Sequence, residues 1–170
     1  MPHLRFETPL GGMIAFAEGD ALTRLSFGDE HNGPPQPGTA DDPEHSVLQR
    51  TRKQVLEYFA GTRPDFDLPL APSGTRFQHT VWTALGHLRA GQTLSYGELA
   101  QRLDRPQAVR AVAQAVARNP LILVVPCHRV VGVRGALTGY AAGLERKRVL
   151  LAHERQSYRP RPVAYPASPS

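Results

Sequence analysis

The 170-residue chain has one cysteine, Cys127, which excludes an internal disulfide framework and a zinc site built from several cysteines. No apolar run approaches the length of about 18 residues that a membrane-spanning helix needs, so we expect no membrane segment. The first six residues lack the charged and then apolar pattern of a secretory signal, which favours a cytoplasmic protein. Because 41% of the residues are apolar, the chain can bury a sizeable core.

Acidic and basic side chains are unevenly distributed along the chain, although the net charge is only +5. Residues 1–73 carry 6 basic and 11 acidic side chains, whereas residues 74–154 carry 11 basic and 4 acidic ones. Residues 155–170 add 3 arginines and no acid. A basic second half is typical of a protein that binds a polyanion such as nucleic acid. An uneven but merely solvated surface explains the same pattern, and charge alone does not choose between them.

The first 71 residues are predicted to form a small α+β domain. Short apolar segments separated by glycine-rich turns predict strands at residues 4–8, 13–17 and 21–27. Residues 31–43 are rich in Gly, Pro and Asp and are predicted to form a long loop. No motif in this domain points to a chemical reaction.

A helix is predicted to follow the loop. The Ser46 hydroxyl can accept from a free backbone amide while Gln49, three residues on, reaches back, which is the spacing of a capping box. Gly61 is predicted to end the helix. Residues 66–70 are predicted to add one more strand.

Residues 72–155 are predicted to form a second, mainly helical domain that contains a helix-turn-helix and the cysteine loop. Two further capping boxes predict helix starts, at Thr75 with Gln78 and at Ser95 with Glu98. Pro106 is predicted at the first position of another helix, where its missing N–H group costs nothing. A last helix is predicted over 144–154. Residues 156–170, with four prolines and three serines, are predicted to be a disordered tail.

The helices predicted at 95–103 and 106–118 have the proportions of a helix-turn-helix. The second helix has three faces: an apolar one with Val109, Val112, Ala113 and Val116, a polar one with Arg110, Gln114 and Arg118, and a small one with Ala108, Ala111 and Ala115. A helix with so little bulk can approach the minor groove of DNA, which is only about 6 Å wide. An ordinary packing helix explains the same pattern, because alanine is the best helix former.

Cys127 follows a buried apolar run, and His128 and Arg129 are its next neighbours. A thiol attacks only as the thiolate, so a nucleophilic cysteine needs a nearby base or positive charge. Glu154, at the end of the last predicted helix, is a candidate to orient the imidazole of His128. The alternative roles are a small buried apolar residue for the cysteine and a solvated carboxylate for the glutamate.

The motif Pro126-Cys-His-Arg-Val130 resembles the signature of the O6-alkylguanine-DNA alkyltransferases, also called methylated-DNA–protein-cysteine methyltransferases. Other segments resemble family motifs in the family's order: Phe77-Gln78, Val81-Trp82, Gly91-Gln-Thr-Leu-Ser-Tyr-Gly-Glu-Leu-Ala100, Arg110-Ala-Val112, Arg118-Asn-Pro120, Thr138-Gly-Tyr140 and Leu150-Leu-Ala-His-Glu154. The resemblance covers about residues 73–155. It implies direct transfer of an alkyl group from O6 of a flipped guanine in double-stranded DNA to the cysteine sulfur. It also implies O4-alkylthymine as a secondary substrate and no cofactor.

By matching position, the resemblance implies a role for each residue of the site. Cys127 is the implied nucleophile, His128 the base that acts through a water molecule, and Glu154 the residue that orients the base. Asn119 is implied to brace the loop between the helix-turn-helix and the active site. Tyr96 is implied to pack near the phosphate of the flipped nucleotide and to donate a proton toward the base as guanine leaves.

The resemblance also implies how DNA and the damaged base are held. Arg110 is implied to fill the gap that the flipped base leaves in the stack. Minor-groove contacts are expected from Ala108, Ala111, Gln114, Arg118 and Tyr96. The substrate pocket is expected to involve Val130, Tyr140, Ala141, Ile122 and Ala142. Ala113 stands where the family often has glycine.

Some relatives carry a zinc site in the first domain, but it needs cysteines that this chain lacks, so no metal is expected. A monomer is expected. Three other functions compete with repair: a non-catalytic alkyltransferase-like protein that binds alkylated DNA, a Cys–His hydrolase on an unrelated fold, and a helix-turn-helix transcription regulator. Cys127 argues against the first, because such proteins lack the active cysteine.

Overall fold

The computed structural model describes residues 1–28 and 40–158, which form two compact units. One unit comprises Met1–Ser73 and Pro120–Val124, and the other comprises Gly74–Asn119 and the described residues from Val125 onward. The second unit is therefore not continuous in sequence, because the five residues Pro120–Val124 within its range belong to the first unit. The predicted fold class is confirmed: a small N-terminal α+β domain precedes a mainly helical part. No helix in the described residues is long and apolar enough to cross a membrane.

The first unit is built on a four-stranded sheet whose spatial order is β3-β2-β1-β4. Its strands are β1 (Pro2–Thr8), β2 (Gly11–Glu18), β3 (Ala21–Phe27) and the short β4 (Ala40–Asp41). The first three form an antiparallel meander, and β4 pairs with β1 in parallel. The three predicted strands are confirmed. Within the predicted loop 31–43, residues 31–39 lie outside the described part of the chain, and β4 follows them.

Helix α1 (Ser46–Phe59) packs against β1, β2 and β3. The capping box predicted at Ser46 is wrong, because His45 occupies the N-cap position without a side-chain hydrogen bond. The side chain of Gln49 instead donates to the Pro43 carbonyl oxygen over 2.8 Å. The predicted stop is confirmed: Gly61 adopts a φ of +82°, a conformation that glycine reaches without a steric penalty.

The strand predicted at 66–70 is wrong, because this segment makes only one bridge to the edge strand β3. The Leu22 amide donates to the Pro69 carbonyl over 2.8 Å, and proline has no N–H group to extend the ladder. Farther along β3 a different segment takes over, since the Leu25 amide donates to the Pro120 carbonyl over 2.9 Å. The edge of β3 is thus shared between two segments, which leaves neither long enough to be a strand.

The second unit contains α2 (Arg76–Leu85), β5 (Leu94–Ser95), α3 (Tyr96–Arg102), α4 (Val109–Ala117), β6 (Val130–Val131) and α5 (Leu144–Ser157). Both capping boxes predicted here are confirmed. Gln78 N and Glu98 N donate to the hydroxyls of Thr75 and Ser95 over 3.1 and 3.0 Å, and each side chain reaches back to its cap. The two caps fix where α2 and α3 begin.

Helix α4 begins at Val109, three residues later than predicted from Pro106. The Ala108 amide donates to the Arg105 carbonyl over 2.9 Å, which closes a turn with Pro106 at its second position. Proline favours that position of a turn as strongly as it favours the first turn of a helix. Pro106 therefore marks a boundary, as predicted, but the element that it begins is the turn and not the helix.

Helix α5 continues through Ser157, three residues past the predicted end at Glu154. Tyr158 is buried and its ring packs edge-on against His153, with 5.7 Å between the ring centroids. This contact makes it favourable for the last turn to stay helical. The first residues of the predicted tail 156–170 are therefore ordered, and residues 159–170 lie outside the described part of the chain.

Candidate active site

The cysteine lies in a short 3-10 helix (Cys127–Arg129) that leads directly into β6. Strand β6 pairs in parallel with β5, with Leu94 opposite Val130 and Ser95 opposite Val131. Strand β5 in turn runs straight into α3, the first helix of the helix-turn-helix. Backbone pairing therefore places the cysteine loop beside the start of α3.

A single carbonyl holds the loop before the cysteine. Val125 O accepts from the Cys127 backbone amide over 2.8 Å and from Asn119 Nδ2 over 2.7 Å. Asn119 is the last residue before the chain leaves this unit, and Val125 is the first after it returns. The asparagine side chain thus joins the two ends of that excursion. Cys127 follows at once, with only 6% of its surface exposed.

The Glu154 carboxylate is the centre of a buried polar network. His128 Nε2 donates to Oε2 over 2.7 Å, Arg129 Nε donates to Oε1 over 2.8 Å, and Arg129 Nη2 donates to Oε2 over 2.9 Å. The Gly91 amide adds a longer bond of 3.3 Å to Oε1. All three side chains are buried, so the carboxylate is matched by hydrogen bonds and by the Arg129 charge.

Arg129 was noted in the sequence only as a neighbour of the cysteine, and its partners were missed. Besides the two bonds to Glu154, its Nη1 donates to the Leu88 carbonyl over 2.7 Å. The arginine therefore ties α5 to the turn between α2 and β5. These partners lie 25 and 41 positions away along the chain, and a local sequence pattern does not predict such distant pairs.

The network defines which nitrogen of His128 can act as a base. A carboxylate only accepts hydrogen bonds, so Nε2 carries the hydrogen that points at Glu154. Burial lowers the pKa of His128, so the imidazole is neutral and Nδ1 keeps its lone pair. Within the described ranges Nδ1 has no hydrogen-bond partner. Burial alone would raise the pKa of Glu154, but pairing with His128 and Arg129 outweighs it and holds that pKa well below its usual range.

A cavity of about 500 Å³ lies between α4 and the loop that follows β6. Its lining residues are Tyr96, Ala113, Ala117, Thr138, Gly139, Tyr140 and Ala141. Three residues expected at the pocket or phosphate, Tyr96, Tyr140 and Ala141, are thus brought together. Val130 and Ala142 are buried but do not line this cavity, and Ile122 belongs to the first unit.

Helix α4 presents a polar face to solvent. Arg110, Ala111, Gln114 and Arg118 are exposed, and Ala108 is partly exposed. Two assignments on this helix are wrong. Ala115 is buried, because Trp82 Nε1 donates to its carbonyl over 2.9 Å and holds that side of α4 against α2. Val109 is 37% exposed, since it stands at the first turn, beyond the packed part of the helix.

A buried thiol followed by a neutral imidazole with an ionised carboxylate behind it is the arrangement of an activated nucleophile. The cavity gives room for a planar ring beside the helix-turn-helix. In the described part of the chain, no three His, Cys, Asp or Glu side chains are grouped as metal ligands.

Two family models match the chain. The model described as the DNA binding domain of 6-O-methylguanine DNA methyltransferase matches residues 76–156. The model described as the ribonuclease-like domain of 6-O-methylguanine DNA methyltransferase matches residues 5–72. Together they cover nearly all of both units.

Curated relatives and solved structures agree with these models. The constitutive methylated-DNA–protein-cysteine methyltransferase of Bacillus subtilis is 45% identical, over 90% of this chain and 94% of its own. The methylated-DNA–protein-cysteine methyltransferase of Haemophilus influenzae is 39% identical, over 90% of this chain and 86% of its own. The crystal structure of Mycobacterium tuberculosis OGT in complex with DNA superimposes with a TM-score of 0.84 at 37% identity, over 92% of this chain and 94% of that one.

Proposed function

Because the chain belongs to the methylated-DNA–protein-cysteine methyltransferase family, we propose that it repairs DNA by moving an alkyl group from O6 of guanine to its own Cys127. O4-alkylthymine is a second substrate of the same chemistry. The protein is both catalyst and acceptor, and it needs no cofactor. We place it in the cytoplasm, where thiols are kept reduced and Cys127 stays ready to react.

The first step is activation of the thiol. Neutral His128 takes the proton of Cys127 through Nδ1, by way of a bridging water molecule, and passes it on to solvent, so that the ring is neutral again beside the thiolate. The Nε2–H group donates to Glu154 over 2.7 Å, which fixes the ring and stabilises the positive charge that develops on it. The Arg129 pair keeps Glu154 ionised throughout.

The second step is displacement at carbon. The Cys127 sulfur forms a bond to the alkyl carbon as the bond from that carbon to O6 breaks, and the electron pair stays on guanine. Tyr96, which lines the cavity, donates a proton toward the departing base. Solvent returns the proton to Tyr96. The products are an S-alkyl cysteine and an intact guanine.

The third element is access to the base. An alkylated guanine inside the stack hides its O6 group, so it must flip out of the helix, which costs a few kcal/mol. The exposed arginines of α4 face the DNA, and the small side chains Ala108 and Ala111 allow the helix to approach the minor groove. Arg110 fills the vacated space in the stack.

The observation that carries this proposal is the buried hydrogen bond from His128, the residue next to Cys127, to the Glu154 carboxylate, together with a cavity lined by residues of the helix-turn-helix. A non-catalytic relative has no use for this thiol, and a transcription regulator has no use for the network behind it. A Cys–His hydrolase would not need a cavity beside a DNA-binding helix.

The test of the proposal is stoichiometry. With excess DNA containing O6-methylguanine, we expect at most one repaired lesion per chain, because the product thioether has no thiolate leaving group and the chain has no second cysteine. Intact-protein mass spectrometry is expected to show a gain of one methylene, located in the peptide that contains Cys127. Sustained multiple turnover with unmodified protein recovered at the end would contradict the proposal.

Arg110→Ala is expected to slow repair of duplex DNA about tenfold or more and to leave the reaction with free O6-alkylguanine base unchanged. Arg110 offsets the cost of extrusion, about 1.4 kcal/mol for each factor of ten, and a free base has no stack to leave. Single-turnover rates on both substrates measure the difference. Arg52→Ala, an exposed arginine of α1, is the matched control and is expected to change neither rate. Equal losses on both substrates would remove Arg110 from the extrusion step.

A further inference from the structure

The chain has only two lysines, and they occupy opposite environments. Lys53 is exposed on α1, whereas Lys147 in α5 is completely buried, with 0% of its surface accessible. Lysine is almost never fully buried unless its charge is matched. The function described above makes no use of Lys147, so its burial calls for an explanation.

Among the residues that the structure describes, Lys147 has one polar contact, and that contact is neutral. Its Nζ atom donates to the Thr138 carbonyl over 2.7 Å, in the loop that lines the cavity. In residues 1–28 and 40–158, no carboxylate lies within ion-pair distance of Nζ. The carboxylate of Glu154, on the same helix, pairs with Arg129. The ammonium charge of Lys147 therefore has no carboxylate to balance it.

The group that can balance this charge is the thiolate of Cys127. Helix α5, which carries Lys147, packs on the 3-10 helix that carries Cys127, and both residues are buried. In keeping with this packing, burial lowers the pKa of Lys147 and the negative charge of Cys127 raises it. The positive charge of Lys147 also lowers the pKa of His128, together with that of Arg129. Lys147 thus favours a negative sulfur and disfavours a positive imidazole.

Counting charges over the buried groups also favours a negative sulfur at Cys127. The groups are Cys127, His128 and Arg129 from the 3-10 helix and Lys147 and Glu154 from α5, while the loop contributes the neutral Thr138 carbonyl. Arg129 and Glu154 cancel. With a neutral imidazole, a thiol leaves one uncompensated buried cation, and a thiolate leaves none. An uncompensated buried charge is strongly destabilising, so the thiolate is the favoured form.

We propose that Lys147 is the resident counter-ion of the Cys127 thiolate, and that alkyl transfer leaves this lysine without a negative partner. This inference rests on the proposed function only in taking Cys127 as the nucleophile. When the sulfur forms its bond to carbon and the C–O6 bond breaks, the negative charge leaves with guanine, which takes up a proton. The neutral thioether then faces a buried ammonium, so the repaired protein is electrostatically mismatched.

The first experiment follows the lysine directly by ¹³C NMR of lysine-labelled protein. In Cys127→Ser, which removes the negative charge without adding bulk, the titration midpoint of Lys147 is expected to fall by about one pH unit. Lys53 serves as an internal reference in the same spectrum and is expected not to move. An unchanged Lys147 midpoint would overturn the proposal.

The second experiment follows the thiolate through the pH dependence of Cys127 alkylation by iodoacetamide. Lys147→Gln keeps a donor for the Thr138 carbonyl and removes the charge. It is expected to raise the pH midpoint of Cys127 alkylation by about one unit, which means about tenfold less thiolate at a pH below both midpoints. Lys147→Arg keeps the charge and is expected to match the wild type. A wild-type profile for Lys147→Gln would reduce Lys147 to a structural tie and overturn the proposal.

Both experiments work without DNA, so they separate the two claims. If the wild-type protein takes no methyl group from DNA, but Cys127→Ser and Lys147→Gln show the expected shifts, the proposed function is refuted and Lys147 remains the counter-ion. If the wild-type protein repairs DNA, but neither variant shows its shift, only the counter-ion role of Lys147 is refuted.

Discussion

Cys127→Ala is expected to abolish alkyl transfer from DNA while leaving binding to the same DNA largely unchanged. Cys127 is the only thiol in the chain, so no other group can accept the alkyl group as a thioether. Only 6% of the residue is exposed, so the side chain offers little contact area to DNA. The loss is therefore chemical and not one of recognition.

DNA carrying a labelled O6-methyl group measures the transfer, and fluorescence anisotropy with the same duplex measures the binding. Cys127→Ser is the companion variant, because it keeps the size of the side chain and a hydroxyl is a far weaker nucleophile at neutral pH. Residual label on either variant would show that another residue accepts the group. A large loss of affinity would instead give the cysteine a role in recognition.

Glu154→Gln is expected to destabilise the protein by about 3–5 kcal/mol and to slow transfer on duplex DNA and on free base alike. The carboxylate accepts from His128 and twice from Arg129, all of them buried. A neutral amide leaves the Arg129 charge without its partner and turns an NH₂ group toward another donor. His128 then loses the acceptor that fixes its ring, and thiolate formation suffers with both substrates.

Urea unfolding measures the loss, with Glu145→Gln as the control on the same helix. Glu145 pairs with Arg148 on the exposed face of α5, where solvent screens the pair, and its substitution is expected to have no measurable effect. Equal effects of the two variants would contradict a special role for the buried pair. If Glu154→Gln has the free energy of unfolding of the wild type but reacts slowly, Glu154 acts on His128 and contributes no stability.

The same pair sets a pH dependence of the stability. The pKa of Glu154 is lowered by folding, so its contribution is complete above the ordinary value of 4.5 and is lost as the pH falls below it. Glu154→Gln removes a carboxylate that the folded protein needs in its ionised form. We therefore expect the stability gap between wild type and variant to narrow as the pH falls below that value.

The amino-acid sequence by itself determined the elements whose hydrogen bonds close within a few residues. The strands of the meander, the caps at Thr75 and Ser95 and the stop at Gly61 all depend on neighbours in the chain. The motif around Cys127 identified the nucleophile and its family, because those residue types in that order are rare by chance. Local patterns suffice where local contacts decide the structure.

At three positions the local pattern allows more than one structure, and only the folded chain shows which one forms. Ser46 has the spacing of a cap, but Gln49 finds the Pro43 carbonyl instead. Pro106 favours both a turn and a helix start, and the turn forms. Ala115 belongs by composition to a stripe of small side chains that could approach a groove, yet it is buried where Trp82 bonds to its carbonyl. The first two outcomes are decided by carbonyl groups within six residues, whereas the burial of Ala115 depends on a partner 33 positions away.

The electrostatics of the site could not be predicted from the sequence, because they depend on contacts between distant residues. The sequence offered Glu154 as a partner of His128, but not its second partner Arg129 or the burial of Lys147. A charge acts through distance and local dielectric, and both are set only when α5 packs on the cysteine turn. The sequence by itself determined which groups could react. The tertiary structure decided which proton positions and charges those groups hold, because folding removes them from water and brings residues 25 positions apart within 2.8 Å of each other.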